Sequence, residues 1–292
     1  MQYSGTMRSR SGQLSLFEEL LGEYPDLSEQ LAVTTLGDRL VRQAHLRPPI
    51  DPRVLASMRG IAQISVGSQP QAGYLYPLGN GRFAVRLRAQ DSPTRQRFTL
   101  FHEIAHTLLP GFGNTTEYRC TENSTEPKEK RTNAVAAALL FPRRFFEGDL
   151  AWAGLTTSGL EFLARRYQAS LEATAIQAVD STTTGAMCVV EKSPRLPHRY
   201  RAGASNLLDG YTHTNHRWPN DAAVQVVLDS DALERARTAP APVQETTYVR
   251  AIDGTQWQEI SVYAKSYPYT ANGRRHDRVI ALASCATEES PC

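Results

Sequence analysis

The sequence predicts an α+β fold, and three observations carry that prediction. Amphipathic helical stretches flank a strand pair in the first half of the chain, a short pair of helices follows, and the remainder is strand-like segments separated by turn residues. With 292 residues the chain is long enough for a main domain and one or two accessory modules. Its 41% hydrophobic and 21% charged content is that of a folded globular protein. Thirty-two basic against 30 acidic residues leave a net charge of +2, so no overall field points to nucleic acid or an anionic membrane.

Residues 1–26 are polar apart from LSLFEELL and read as a loosely held arm with a short amphipathic turn. From Leu27 to Ala44, apolar residues recur at helical intervals (Leu27, Leu31, Leu36, Leu40, Ala44), and Pro48 and Pro49 end the stretch. Asp51-Pro52 opens a second short helix, because Asp caps well and Pro fits the first turn. IAQISV, GYLYPL and RFAVRLR are strands, the last two joined as a hairpin by Gly79-Asn80-Gly81. Ser92-Pro93 starts a helix that runs through Leu108 and stops at Pro110-Gly111. After the loop GFGNTTEYRCTENST, another helix spans about Pro127 to Phe141 and is closed by Pro142.

Residues 156–182 hold two short helices, TSGLEFLARRY and SLEATAIQAV, joined near Gln168-Ala169 with Ser170 as cap. From 183 to 292 the pattern changes to GAMCVVE, AAVQVVLD, TYVRAI, QEISVYAKSY and RVIALASC, with turns at Asp253-Gly254 and Asn272-Gly273 and one helix, SDALERARTA. No apolar run approaches the roughly 18 to 20 residues of a membrane span, and the start lacks the apolar stretch of a secretory signal, so a cytoplasmic protein is expected. Cys120, Cys188, Cys285 and Cys292 form no CxxC pair and read as free thiols.

His102-Glu103-Ile104-Ala105-His106 is the chemically specific feature. Residues i and i+4 lie on one helix face, so both imidazoles can reach one tetrahedral Zn2+ while the intervening Glu sits beside its open position. A zinc-bound water has its pKa lowered towards neutrality; Glu103 can take its proton during attack on a peptide carbonyl and pass it to the leaving amine. The bare pattern arises by accident on the order of once in a hundred chains of this length, so context decides. Here Phe98, Phe101, Ala105 and Leu108 mark an apolar face that leaves His102 and His106 pointing elsewhere.

A catalytic zinc commonly takes three protein ligands. The downstream candidates are Glu117, Glu122, Glu126 and Glu129. Glu129 is preferred, because it lies within the expected helix and shares a face with Asn133, Ala136 and Leu140; Glu126, at the helix mouth, is its main rival. Asn133, one turn on, suits the outer hydrogen-bonding partner that metal ligands usually have.

RQRFTLFHEIAHTLL followed by EKRTNAVAAALLFP resembles the ImmA/IrrE family of metallopeptidases, with a good match over roughly 30–180 that is most specific over 95–142. The resemblance implies a zincin-like domain with zinc ligands His102, His106 and Glu129 and catalytic base Glu103. Ala105, Arg131-Thr132 and Val135 depart from the family pattern, and Arg131 reverses a charge near the expected site. Similar proteins cleave a partner transcriptional repressor in the cytoplasm and so switch on stress-response or mobile-element genes. Some carry a helix-turn-helix-like segment and a GAF-like C-terminal domain. The expected organisation is therefore an arm (1–26), a zinc metallopeptidase domain (27–155), a helix-turn-helix-like segment (156–182) and a β-rich regulatory or sensor domain (183–292).

Other features have two readings. RFAVRLR is a candidate free edge for an extended substrate, or a structural strand with a solvated arginine face. SLEATAIQAV, as a DNA-reading helix, carries no Arg or Lys, so packing against the peptidase domain is the better expectation and direct DNA binding the poorer one. His198, His213, His216 and His276, with Tyr200 and Tyr211, include candidates for steadying an oxyanion; a second metal site at His213 and His216 lacks a completing ligand. Cys285 and Cys292 are candidate oxidation sensors, or unimportant thiols of a frayed tail. The rival functional readings are a non-proteolytic metal-binding sensor and a toxin-antitoxin or phage-defence interaction module. Oligomeric state is not encoded in any pattern of this sequence.

Overall fold

The computed structural model describes residues 14–110, 112, 117–118, 127–192, 210–215, 231–239, 241–250, 257–271 and 274–285. Glu122, Glu126, Cys120, His198, Tyr200, His216, Cys292, the strand AAVQVVLD and the turns at 253–254 and 272–273 lie outside the described residues. So do the side chains of Glu117, Tyr211 and His276. The fold is mixed α+β and divides into two compact units, Met1–Phe146 with Arg166–Ala169, and Glu147–Arg165 with Ser170–Cys292. Among the described residues no helix is long and apolar enough to cross a membrane.

The first unit opens with α1 (Leu16–Glu23), where a loosely held arm was expected. Ser15 and Glu18 form a reciprocal capping box, and Phe17 and Leu20 are buried, so LSLFEELL is a docked helix. The Phe17 amide also donates to the Leu108 carbonyl at 3.2 Å. α2 (Glu29–Gln43) is capped by Ser28, and α3 (Pro52–Met58) by Asp51 with Pro at its first turn. Each such cap contributes about 1 kcal/mol and fixes a helix start within a residue or two.

The first sheet contains β1 (Ile61–Gly67), β2 (Gly73–Gly79), β3 (Arg82–Arg88) and the two-residue β4 (Glu117–Tyr118), in the order β1-β3-β2-β4. β2 and β3 form the expected hairpin, its turn carried by positive φ at Gly79, Asn80 and Gly81. β1 joins β3 in parallel, so RFAVRLR is paired on both sides and offers no free edge. That pairing is non-local, which is why the strand's own residues could not reveal it.

α4 (Pro93–His106) starts at Ser92, whose side chain accepts from the Arg95 amide. Its surroundings differ from a simple two-faced helix: Thr99 to Leu109 is buried all round, because α4 packs against β2, β3, α3 and α5. α5 (Pro127–Leu140) leads through Pro142 into α6 (Arg143–Ala153), a helix the sequence pattern did not announce. Pro142 therefore both closes one helix and precedes the next. Phe141, Phe146 and Tyr167 pack as an aromatic cluster with centroids 5.2 to 5.6 Å apart.

In the second unit, α7 (Thr157–Tyr167) and α8 (Leu171–Ser181) are joined as expected, with Gln168 at positive φ and Ser170 capping α8. The second sheet is antiparallel, in the order β6-β5-β9-β8-β7: β5 (Ala186–Lys192), β6 (Gly210–Thr214), β7 (Val243–Arg250), β8 (Trp257–Ala271) and β9 (Arg274–Cys285). Alternate residues of β5 and β9 enter separate cores. Met187, Val189, Val279 and Ala281 pack with α9 (Ala232–Thr238); Cys188, Val190, Ile280 and Leu282 pack with Leu160, Ala175 and Val179. Both faces of β5 are covered, which explains its continuous apolar run.

α8 packs on the second sheet, and its acids are engaged there: Glu172 with Arg278 at 2.5 Å and Asp180 with His213 at 2.7 Å. Cys188 and Cys285 are free thiols. Burial pushes the Cys188 thiol up to about 12. Cys285 lies within β9, paired with Ile260, rather than in a frayed tail, and burial also raises its thiol.

Candidate metal centre

α4 delivers two imidazoles from adjacent turns. The His102 and His106 rings meet edge to face with centroids 4.8 Å apart, and their Nε2 atoms are 3.1 Å apart. α5 crosses α4 and inserts Glu129 from its first turn, with Oε2 3.3 Å from His102 Nε2 and Oε1 3.8 Å from His106 Nε2. Among the described residues, His102, His106 and Glu129 are the group whose ligand atoms converge, all within 4.8 Å of one another.

This donor set fits a metal ion. A tetrahedral ion with bonds of about 2.0 to 2.1 Å needs its donors roughly 3.3 Å apart. The separations of 3.1, 3.3 and 3.8 Å bracket that value. Burial pushes the Glu129 carboxyl up, but its hydrogen bond to His102 and the charges of His102 and His106 outweigh this and hold it below the usual carboxylate range. A metal requires the ionised form of this carboxylate and the neutral form of both imidazoles.

Asn133, one turn beyond Glu129 on α5, orients the first ligand. His102 Nδ1 lies 2.9 Å from Asn133 Oδ1. An amide oxygen only accepts, so Nδ1–H donates to it and the Nε2 lone pair faces the site. Glu103, adjacent to His102, is fully buried against the start of β2. A Cβ added at Gly73 would fall 2.4 Å from Thr99 Cγ2 and 3.1 Å from Glu103 Oε1. Gly73 therefore lets the sheet lie directly on the helix face that carries Glu103.

Two further residues of the site's frame were not anticipated. Arg59, mostly removed from solvent, donates through Nε to Thr107 Oγ1 at 3.2 Å and through Nη2 to the Thr107 carbonyl at 2.7 Å. It thereby satisfies the C-terminal end of α4 and opposes the negative end of its dipole. Burial lowers the pKa of its guanidinium. Arg131 is the second. It lies two residues from Glu129, on the other side of α5, where its Nε donates to Glu29 Oε1 at 2.6 Å and it stacks over Phe17. The charge reversal is thus matched by α2.

Residues 61–178 match the IrrE N-terminal-like domain, the peptidase M78 family. The radiation response metalloprotease IrrE of Deinococcus deserti is 37% identical over 91 residues, which are 30% of this chain and 32% of that relative. The chain thus matches about a third of the relative's length. A Mycobacterium tuberculosis transcriptional regulator shares the fold over 93% of this chain and 82% of its own, with a TM-score of 0.53 and 12% identity. HExxH on α4 and Glu129 and Asn133 on α5 lie inside the matched segment, so the part of the chain that carries the candidate metal centre, residues 61–178, is similar to the IrrE N-terminal-like domain.

Proposed function

We propose that this protein is a zinc-dependent endopeptidase that makes a site-specific cut in a cytoplasmic protein, a DNA-binding transcriptional repressor, and so operates a stress-response or mobile-element and defence switch. The convergence of His102, His106 and Glu129 with Glu103 alongside is the observation that carries the reading. The repressor substrate is supported by family resemblance, and the stress role by the relative's description as a radiation response metalloprotease. The β-rich second unit serves, in this reading, as the regulatory part.

Zinc, when bound, would supply the Lewis acidity that makes water nucleophilic near neutral pH and polarises the scissile carbonyl. The chain's own groups do the rest. His102 and His106 bind as neutral imidazoles, Asn133 fixes the His102 tautomer, and Glu129 contributes negative charge. Glu103 accepts the proton of the attacking water on its carboxylate and returns it to the leaving amine, so that the amine departs neutral.

The test is Glu103→Gln, compared with the unaltered chain on the repressor encoded beside its gene, with zinc supplied. One zinc per chain in both proteins and a cleavage rate lowered by about 10²- to 10⁴-fold in the variant are expected. Equal cutting overturns the mechanism. Bound zinc with no coordination position open to water, and no cutting by either form, would favour a non-proteolytic metal-binding sensor instead.

A further inference from the structure

The first sheet has an edge remote in strand order from the metal helix. β2 and the short β4 lie on the Gly73 side, next to Glu103, whereas β1 closes the opposite end and, among the described residues, pairs only with β3. The Gly67 carbonyl accepts from the Ala89 amide at 2.9 Å and therefore faces β3. By the alternation of a strand, Ser65 also faces β3, while Ile64 and Val66 turn their amides and carbonyls to the open side.

Sheet edges are normally protected by charges, proline or bulges. IAQISVG has no charged residue and no proline, and the irregularity of its pairing lies between Ile61 and Gln63, so the register is regular from Gln63 through Ile64 and Val66 to Gly67. Val66 is 57% exposed, and α3, packed on β1, adds exposed Val54 and Met58 one turn apart. Arg86 pairs in register with Ser65 and carries its guanidinium over β1: a Cβ at Gly67 would lie 2.4 Å from its Nη2. Among the described residues no carboxylate pairs with Arg86. A second copy of β1 brings no acid to it, so this edge is matched to a different strand.

Opposite faces of that incoming strand would meet unlike surroundings: Arg86 and Ser65 on one, Val66 and Leu87 on the other. We propose that the β1 edge is a strand-addition site for an extended segment of a protein partner in which acidic residues alternate with aliphatic ones. Backbone hydrogen bonds to Ile64 and Val66 supply affinity, and the Arg86 guanidinium selects carboxylates on one face. This site is separate from the metal centre and does not depend on catalysis.

The probe is a fluorescein-labelled eight-residue peptide of alternating Glu and Val, with its Lys-Val counterpart. Anisotropy is measured on the full zinc-loaded chain carrying Glu103→Gln, so that cleavage does not deplete the peptide. Glu-Val binding at least tenfold tighter than Lys-Val is expected. In that background, Val66→Pro removes an amide that faces the open side and no bond of the β1–β3 ladder. It should weaken Glu-Val binding at least tenfold while zinc content and thermal unfolding stay unchanged. Arg86→Glu, a surface exchange that keeps β1 intact, should reverse the preference towards Lys-Val. Equal binding of the two peptides, or Glu-Val binding indifferent to both substitutions, overturns the site. A dimer in sedimentation that Val66→Pro dissolves overturns it as well, because the edge would then be taken by a second copy.

Discussion

The two units bury polar groups in different ways. In the first, four buried ionisable side chains, His102, Glu103, His106 and Glu129, gather on two crossing helices. In the second, the described buried polar residues are neutral, namely Thr157, Thr174 and Asn215. Asn215 illustrates the contrast. Its Nδ2 donates to the Val179 and Thr184 carbonyls at 3.1 and 2.8 Å, and its Oδ1 accepts from the Ala186 amide at 3.2 Å. That pattern ties the end of α8 to the start of β5 and is complete in itself. Burying charge costs far more than burying an amide unless the charge is paired or meets a metal. A cluster of buried imidazole and carboxylate groups therefore marks chemistry, whereas a satisfied buried amide marks architecture.

Three substitutions test this contrast. Glu129→Ala removes one of the converging donors and leaves two histidines; zinc content measured by mass spectrometry after dialysis should fall from one per chain to a small fraction. Full retention would mean that another side chain completes the site. Asn133→Ala should be milder, weakening zinc affinity about 10- to 100-fold in a competition titration, because His102 loses its orienting acceptor but keeps its lone pair. An unchanged affinity would separate Asn133 from the metal. Asn215→Ala should leave zinc affinity untouched and destabilise the second unit by about 1 to 3 kcal/mol in denaturant unfolding, through the carbonyls and amide left without their partner. A loss of zinc in that variant would break the contrast.

What the sequence disclosed follows the range of the interactions. Asp51-Pro52, Ser92-Pro93, Ser170 and the Gly79-Asn80-Gly81 turn act on their own neighbours, and the elements they predict are present. The same holds for the histidine spacing, since a helix brings i and i+4 together whatever surrounds it. Choosing Glu129 among several carboxylates needed the helix face it shares with Asn133, and these two residues both reach His102 in the structure.

Long-range partners were not legible. Arg59 meets Thr107 across 48 positions and Arg131 meets Glu29 across 102, and neither segment names the other. α1 looked like an arm because the partner that buries Phe17 and Leu20 is remote in sequence. The β1–β3 pairing hid the true position of RFAVRLR, and the close approach at Gly73 is visible only once α4 is laid on the sheet. The GAF-like expectation for 183–292 rested on composition, which counts strands without ordering them.

The central claim is a metal centre with two histidine nitrogens, one carboxylate and one position open to water. X-ray absorption at the zinc edge of the zinc-loaded chain tests it directly. The account predicts four nitrogen or oxygen neighbours at about 2.0 to 2.1 Å, two of them with the outer-shell signature of imidazole, and one exchangeable with added acetohydroxamate. A sulfur neighbour near 2.3 Å, or a shell that the hydroxamate leaves unchanged, would contradict it.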